Sequence, residues 1–125
     1  MIFGIGTDIV EVGRIEASLS QFGQTFAKRI LTIDELVGFE SSLTKARFLA
    51  KRFAAKEAFS KAFGTGLRGI VTFHNISVTH DALGKPLLAF SAELLALLNE
   101  KNILHQHISI SDEKNLAAAF VILET

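Results

Sequence analysis

Apolar and polar positions along the chain follow two periods, one of strands and one of helices. An Ile- and Val-rich stretch from Ile2 to Val12, broken by Gly4 and Gly6, predicts a first strand. Ile15, Leu19 and Phe22 then recur at helical spacing and predict a short helix over Gly13 to Phe22. Thr32-Ile33-Asp34-Glu35 has the form of a capping box, so a second short helix is expected to start there. The strongest helical signal runs from Thr44 to Phe63, with alanine at 46, 50, 54, 55, 58 and 62, no proline, and Gly64 as a C-cap. A further helix is predicted over Ser91 to Lys101. Strand patterns cover Ile70 to Thr79, Pro86 to Phe90, His107 to Ser111 and Leu116 to Leu123. Leu83-Gly84-Lys85-Pro86 and Asp112-Glu113-Lys114-Asn115 read as turns. The order β-α-α-α-β-β-α-β-β predicts an α+β architecture: an antiparallel sheet with helices packed on one face.

A length of 125 residues predicts a single domain, 1–125. Folding at that size removes roughly two-thirds of the unfolded chain's surface, enough for a core without staples. Hydrophobic residues make up 49% and charged residues 21%, which argues against disorder. Thirteen cations balance 13 anions, so net charge gives no reason to expect nucleic acid as a partner. The absence of cysteine excludes disulfides, thiolate metal sites and a cysteine nucleophile, leaving oxygen and histidine as metal ligands. The apolar N-terminal stretch carries Asp8 and Glu11 and no early cation, unlike a signal peptide. The longest apolar run, Leu116 to Leu123, falls far short of the roughly 20 residues that span a bilayer. A cytoplasmic protein without a membrane partner is expected.

Candidate chemistry concentrates on the long helix. Ala50, Ala54, Glu57 and Lys61 share one face, with room above the two alanines. Spacing alone leaves two readings: a surface ion pair at i, i+4, or a carboxylate for a cation beside an ammonium for a phosphate. Asp8 lies in the most apolar strand, where a carboxylate is paired, protonated, bound to metal or turned to solvent. Two carboxylates with water and phosphate oxygens make a typical magnesium arrangement. Gly64-Thr65-Gly66-Leu67-Arg68-Gly69 matches G-x-G-x-x-G, but it follows a helix, so the dinucleotide reading fails. Its backbone remains a candidate phosphate wrap beside the plainer reading of a helix-ending turn. In His107-Ile108-Ser109-Ile110-Ser111 the isoleucines face one way and His107, Ser109 and Ser111 the other. His105 and His107 have no zinc-site spacing, and no G-x-S-x-G elbow occurs.

Five strings occur in order: Ile5-Gly6-Thr7-Asp8-Ile9; Arg29-Ile30-Leu31-Thr32 with Glu35; Arg52-Phe53-Ala54-Ala55-Lys56-Glu57-Ala58-Phe59-Ser60-Lys61-Ala62-Phe63-Gly64-Thr65-Gly66; Gly84-Lys85-Pro86; and His107 to Ser111. Together they resemble, over essentially the whole chain, the small 4'-phosphopantetheinyl transferases, the holo-[acyl-carrier-protein] synthases. The resemblance implies Mg-dependent transfer of the 4'-phosphopantetheine arm of coenzyme A to a serine of apo acyl carrier protein, releasing adenosine 3',5'-bisphosphate, in fatty acid biosynthesis. It implies Asp8 and Glu57 as the Mg2+ carboxylates and Lys61 against the coenzyme's phosphates. Gly64, Thr65, Gly66, Lys85 and Pro86 match segments that line the nucleotide, and His107 a catalytic histidine at the edge of the metal site. Arg14 matches a basic residue that meets the carrier.

The chain departs from the family pattern twice. Asp112 stands where many members carry histidine, as a base or a turn former, and Gln21 stands where some carry a second cation after Arg14. Lys28 and Arg29 are then candidates to extend the carrier patch. The resemblance also implies a homotrimer with sites at subunit interfaces, and Val121 and Leu123 are expected in its shared apolar core. The rival functions are a magnesium-dependent phosphohydrolase on the same carboxylates and a coenzyme A- or carrier-binding module without chemistry.

Overall fold

The computed structural model describes residues 1–125. Strand β1 (Ile2–Glu11) leads into helices α1 (Val12–Phe22), α2 (Gln24–Ile30), α3 (Ile33–Ser41) and α4 (Lys45–Phe63). A 3-10 turn at Phe73–Asn75 precedes β2 (Ile76–His80) and β3 (Pro86–Phe90); α5 (Ala92–Glu100), β4 (His105–Asp112) and β5 (Leu116–Glu124) complete the chain. The expected α+β class and antiparallel pairing hold. The expected single sheet does not: β1-β5-β4 form one ladder and β2-β3 another. Strand β3 packs beside β4 without ladder bonds, and it opens at Pro86, which has no N–H to donate.

Two local differences have backbone causes. Helix α2 was not expected; Gly23, at φ 58°, turns the chain out of α1 and starts a new helix anchored by buried Ala27 and Ile30. Ile70 to Asn75 is not strand. Gly69 sits at φ 58°, Val71 N–H donates to the Arg68 carbonyl at 2.9 Å, and the 3-10 turn takes up the rest. The capping box forms in full, since Thr32 Oγ1 accepts from Glu35 N–H and Glu35 Oε1 accepts from Thr32 N–H. No helix is long and apolar enough to cross a membrane.

Helix α4 lies on the inner face of the three-stranded sheet. On β1 this face is Gly4, Gly6, Asp8 and Val10; on β5 it is Ala117, Ala119, Val121 and Leu123. A Cβ on Gly4 would stand 1.9 Å from the Ala62 carbonyl oxygen, and one on Gly6 the same distance from that of Ala58. Only glycine lets the helix backbone come this close. Val121 and Leu123 are wholly buried beneath α4, which corrects their expected place in a shared core: their alternation points them into this chain. The opposite face carries Ile5, Ile9 and Phe120 together with His107, Ser109 and Ser111, and it stays open, with Ile9 68% and Phe120 44% exposed.

One charged cluster is internal. Lys56 on α4 is fully buried, its Nζ donating to Glu35 Oε1 at 2.5 Å and to the carbonyls of Ile30 at 2.6 Å and Phe73 at 3.0 Å. Glu35 Oε2 accepts from Val78 N–H at 2.9 Å and lies 3.5 Å from Arg52 Nε. These bonds tie α2, α3, α4 and β2 together. Burial pulls the Lys56 ammonium below its usual range, and Glu35 opposes that pull.

Candidate active site

Close packing of β1 on α4 brings three predicted residues together. Asp8 points inward from β1 at the open edge of the sheet, and Glu57 and Lys61 project from α4 beside it. Lys61 Nζ donates to Asp8 Oδ1 and to the Thr7 carbonyl, each at 3.0 Å. The i, i+4 pairing of Lys61 with Glu57 does not form, because the close-packed strand offers Asp8 and a carbonyl instead. Asp8 Oδ2 is buried and has no hydrogen-bond partner. Burial, and then the negative charge of Asp8, push the Glu57 carboxyl above the usual carboxylate range, while Lys61 draws it back.

The site therefore presents two hard-oxygen donors, one of them with a buried, unsatisfied atom, and an ammonium alongside. No cluster of three or more His, Asp or Glu side chains suited to a metal exists. A divalent cation held here would take its other ligands from water or substrate oxygens, the habit of magnesium. The donor chemistry and the orphaned Oδ2 fit that ion.

The turn at Gly64-Thr65-Gly66 follows one helical turn after Lys61. Gly64, at φ 102°, is a left-handed C-cap, and the N–H groups of Gly64 and Gly66 both donate to the Ser60 carbonyl, at 3.0 and 3.2 Å. Those two donors are spent on the helix end, as in the plainer reading of a helix-ending turn. Thr65 Oγ1 donates to the Gly66 carbonyl at 2.8 Å.

Lys85 and Pro86 lie beyond the β4 edge, at the start of β3 in the two-stranded sheet. Asp81 Oδ1 accepts from the N–H groups of Leu83 and Lys85, both at 2.9 Å, which shapes the turn and holds the Asp81 carboxyl below its usual range. Pro86 lines a cleft of about 130 Å³ with Lys51, Arg52, His80, Ile110 and Asp112. Burial and then the charges of Arg52 and Lys51 push the His80 imidazole down. Sequence reasoning missed this convergence, since nothing in the spacing links His80 on β2 to Lys51 and Arg52 on α4. Asp112 Oδ2 accepts from Arg47 at 3.0 Å at the end of β4, so it anchors the hairpin to α4.

His107 sits on β4 with its Nε2 3.0 Å from Glu124 Oε1, on the sheet face opposite Asp8. Strand β5 separates β4 from β1. One chain thus gathers Asp8, Glu57 and Lys61 at the β1 edge, and places Lys85, Pro86 and His107 on the β4 side. Arg14 is exposed on α1, its Nε 3.8 Å from Glu11 Oε2. Two grooves lie elsewhere, one of about 770 Å³ between α1 and the start of α4 and one of about 870 Å³ beside α3, and neither includes Asp8, Glu57 or Lys61.

Comparison with known proteins identifies the family and the fold. Residues 4–121 match the model of the 4'-phosphopantetheinyl transferase superfamily. A holo-[acyl-carrier-protein] synthase of Nitrosospira multiformis is 56% identical over 124 residues, 99% of each chain. The crystal structure of a holo-[acyl-carrier-protein] synthase from Neisseria meningitidis superposes with a TM-score of 0.97 at 51% identity, covering 100% of both chains. One from Bacillus anthracis, in complex with CoA (3',5'-ADP), gives a TM-score of 0.84 at 42% identity and covers 100% of this chain and 98% of its own.

Proposed function

The chain belongs to the 4'-phosphopantetheinyl transferase superfamily, among the holo-[acyl-carrier-protein] synthases, and from that premise we propose that it transfers the 4'-phosphopantetheine arm of coenzyme A to a serine of an apo acyl carrier protein, in the cytoplasm and in fatty acid biosynthesis. The observation that carries this reading is Asp8, with one oxygen on Lys61 and the other buried and unpartnered, beside Glu57.

In the reaction the seryl oxygen bonds to the β-phosphorus of coenzyme A. The bond from that phosphorus to the bridging oxygen breaks, adenosine 3',5'-bisphosphate departs, and the serine loses its proton. Asp8 and Glu57 would hold Mg2+, which supplies neutralisation of the charge that builds on the phosphate oxygens. Lys61 contributes a second positive charge to those oxygens, on a half-exposed side chain that reaches out from α4. Gly64, Thr65 and Gly66 bound the coenzyme at the end of α4. Pro86, with Lys51 and Arg52 around its cleft and Lys85 next to it in sequence, offers cationic surroundings for the nucleotide phosphates. Arg14 and, beyond Gln21, Lys28 and Arg29 face the acidic carrier. Holding the serine in line supplies most of the rate gain.

The two groups of site residues stand at opposite ends of the fold, one at the β1 edge and the other around β4 and the start of β3, and the outer face of the three-stranded sheet leaves Ile5, Ile9 and Phe120 bare. A homotrimer unites them: the β1 edge of one subunit meets the Lys85, Pro86 and His107 side of the next. Incubation with coenzyme A, magnesium and apo carrier, followed by mass measurement of the carrier, tests the activity. A phosphopantetheine mass gain supports transfer. Coenzyme breakdown without gain supports a hydrolase, and neither change supports a binding module.

A further inference from the structure

Lys61 and a divalent cation are rivals for one carboxylate. The ammonium donates to Asp8 Oδ1 at 3.0 Å and to the Thr7 carbonyl at the same distance, while its side chain is 52% exposed against 16% for Asp8. Asp8, Glu57 and Lys61 together carry one net negative charge; without the lysine they carry two. An ion of charge +2 arriving at Asp8 meets an ammonium already bonded to that carboxylate, and the two repel each other across a partly dry site. Lys61 is anchored through its Nζ and its side chain is open to solvent, so the ammonium is free to leave for a better anion. A phosphate is such an anion.

Resting on the metal reading above, we infer that Lys61 makes cation loading depend on the phosphate-bearing substrate. The ammonium is the counter-ion of Asp8 in the substrate-free protein, lowering its affinity for a divalent cation, and transfers to the phosphates when these arrive, releasing Asp8 to the metal. By linkage the coupling is reciprocal, so the cation strengthens phosphate binding as much as phosphate strengthens cation binding. Lys61 thus acts twice, once on the carboxylate and once on the substrate.

The test is Mn2+ binding to the full-length, substrate-free protein, followed by electron paramagnetic resonance of the free ion. Lys61→Met and Lys61→Gln should tighten Mn2+ binding by about three- to tenfold, because a partly exposed charge is removed from the site. Lys61→Arg keeps the charge and should bind as wild type does, while Glu57→Gln should bind more weakly. Far-UV circular dichroism checks that each variant is folded, and two neutral replacements guard against one that is not. Unchanged or weaker binding in both neutral variants, with Glu57→Gln weakened, would overturn the competition and leave the metal site standing. Binding unchanged in every variant, Glu57→Gln included, would overturn both.

Discussion

Gly6 of β1 lies so close to Ala58 of α4 that a Cβ at position 6 would stand 1.9 Å from the Ala58 carbonyl oxygen, and 2.6 Å from the Ala62 nitrogen. Both are helix main-chain atoms and cannot swing aside as a side chain would. Asp8 sits two residues further on the same strand face, so this approach is also what sets Asp8 beside Lys61. Gly6→Ala should destabilise the protein by about 2–4 kcal/mol, and its turnover should fall further than the folded fraction does. Urea unfolding and turnover measured on the same sample check this; a wild-type midpoint would contradict it.

Lys56 is a neighbour of Glu57 in sequence but points the opposite way, into the Glu35 cluster. Lys56→Met leaves Glu35 and two carbonyls short of a buried donor and should cost about 3–5 kcal/mol. Glu35→Gln combined with Lys56→Met should cost less than the sum of the two single changes, because the second removes a charge that the first left alone. Strict additivity in denaturant titrations would show that the two groups are not coupled.

These two relationships show which parts of the molecule the sequence exposes. The alanine-rich pattern and Gly64 delimit α4, Thr32 with Glu35 marks α3, and the leucines at 94, 95, 97 and 98 mark α5, because each is a local signal read within one element. Helix α2 escapes because seven residues behind a glycine carry too little periodicity. The buried place of Lys56 escapes because lysine is expected outside, although Ala54, Ala55, Ala58 and Phe59 surround it in sequence. Asp8, Glu57 and Lys61 were legible as chemistry, but the Lys61–Asp8 bond was not, since Glu57 is four residues from Lys61 and Asp8 is 53 away. The separation of His107 and Pro86 from Asp8 depends on strand order, which no motif encodes.

Arg14 stands on the exposed side of α1. Arg14→Glu should raise KM for the carrier severalfold and leave KM for coenzyme A unchanged, since exposed charges act on encounter more than on chemistry. Carrier use by the variant should also depend less on salt. A carrier KM equal to wild type at low salt would rule out this helix as the docking surface.

The outer sheet face should set the oligomeric state. In the proposed trimer Phe120→Asp would place a carboxylate among Ile5, Ile9 and their counterparts from neighbouring subunits, and it should yield a folded species of one-third the wild-type mass in light scattering, with transfer lost. An active wild-type monomer at working concentration would contradict both the trimer and the shared site.

The most direct measurement is the rate at which apo carrier gains phosphopantetheine with Glu57→Gln under saturating coenzyme A and magnesium. The substitution removes the charge of the proposed ligand and keeps its shape. The expected result is a rate lower by about 100-fold or more with wild-type circular dichroism and melting temperature. A rate near that of wild type would contradict the assignment of Glu57, and with it the site at the β1 edge.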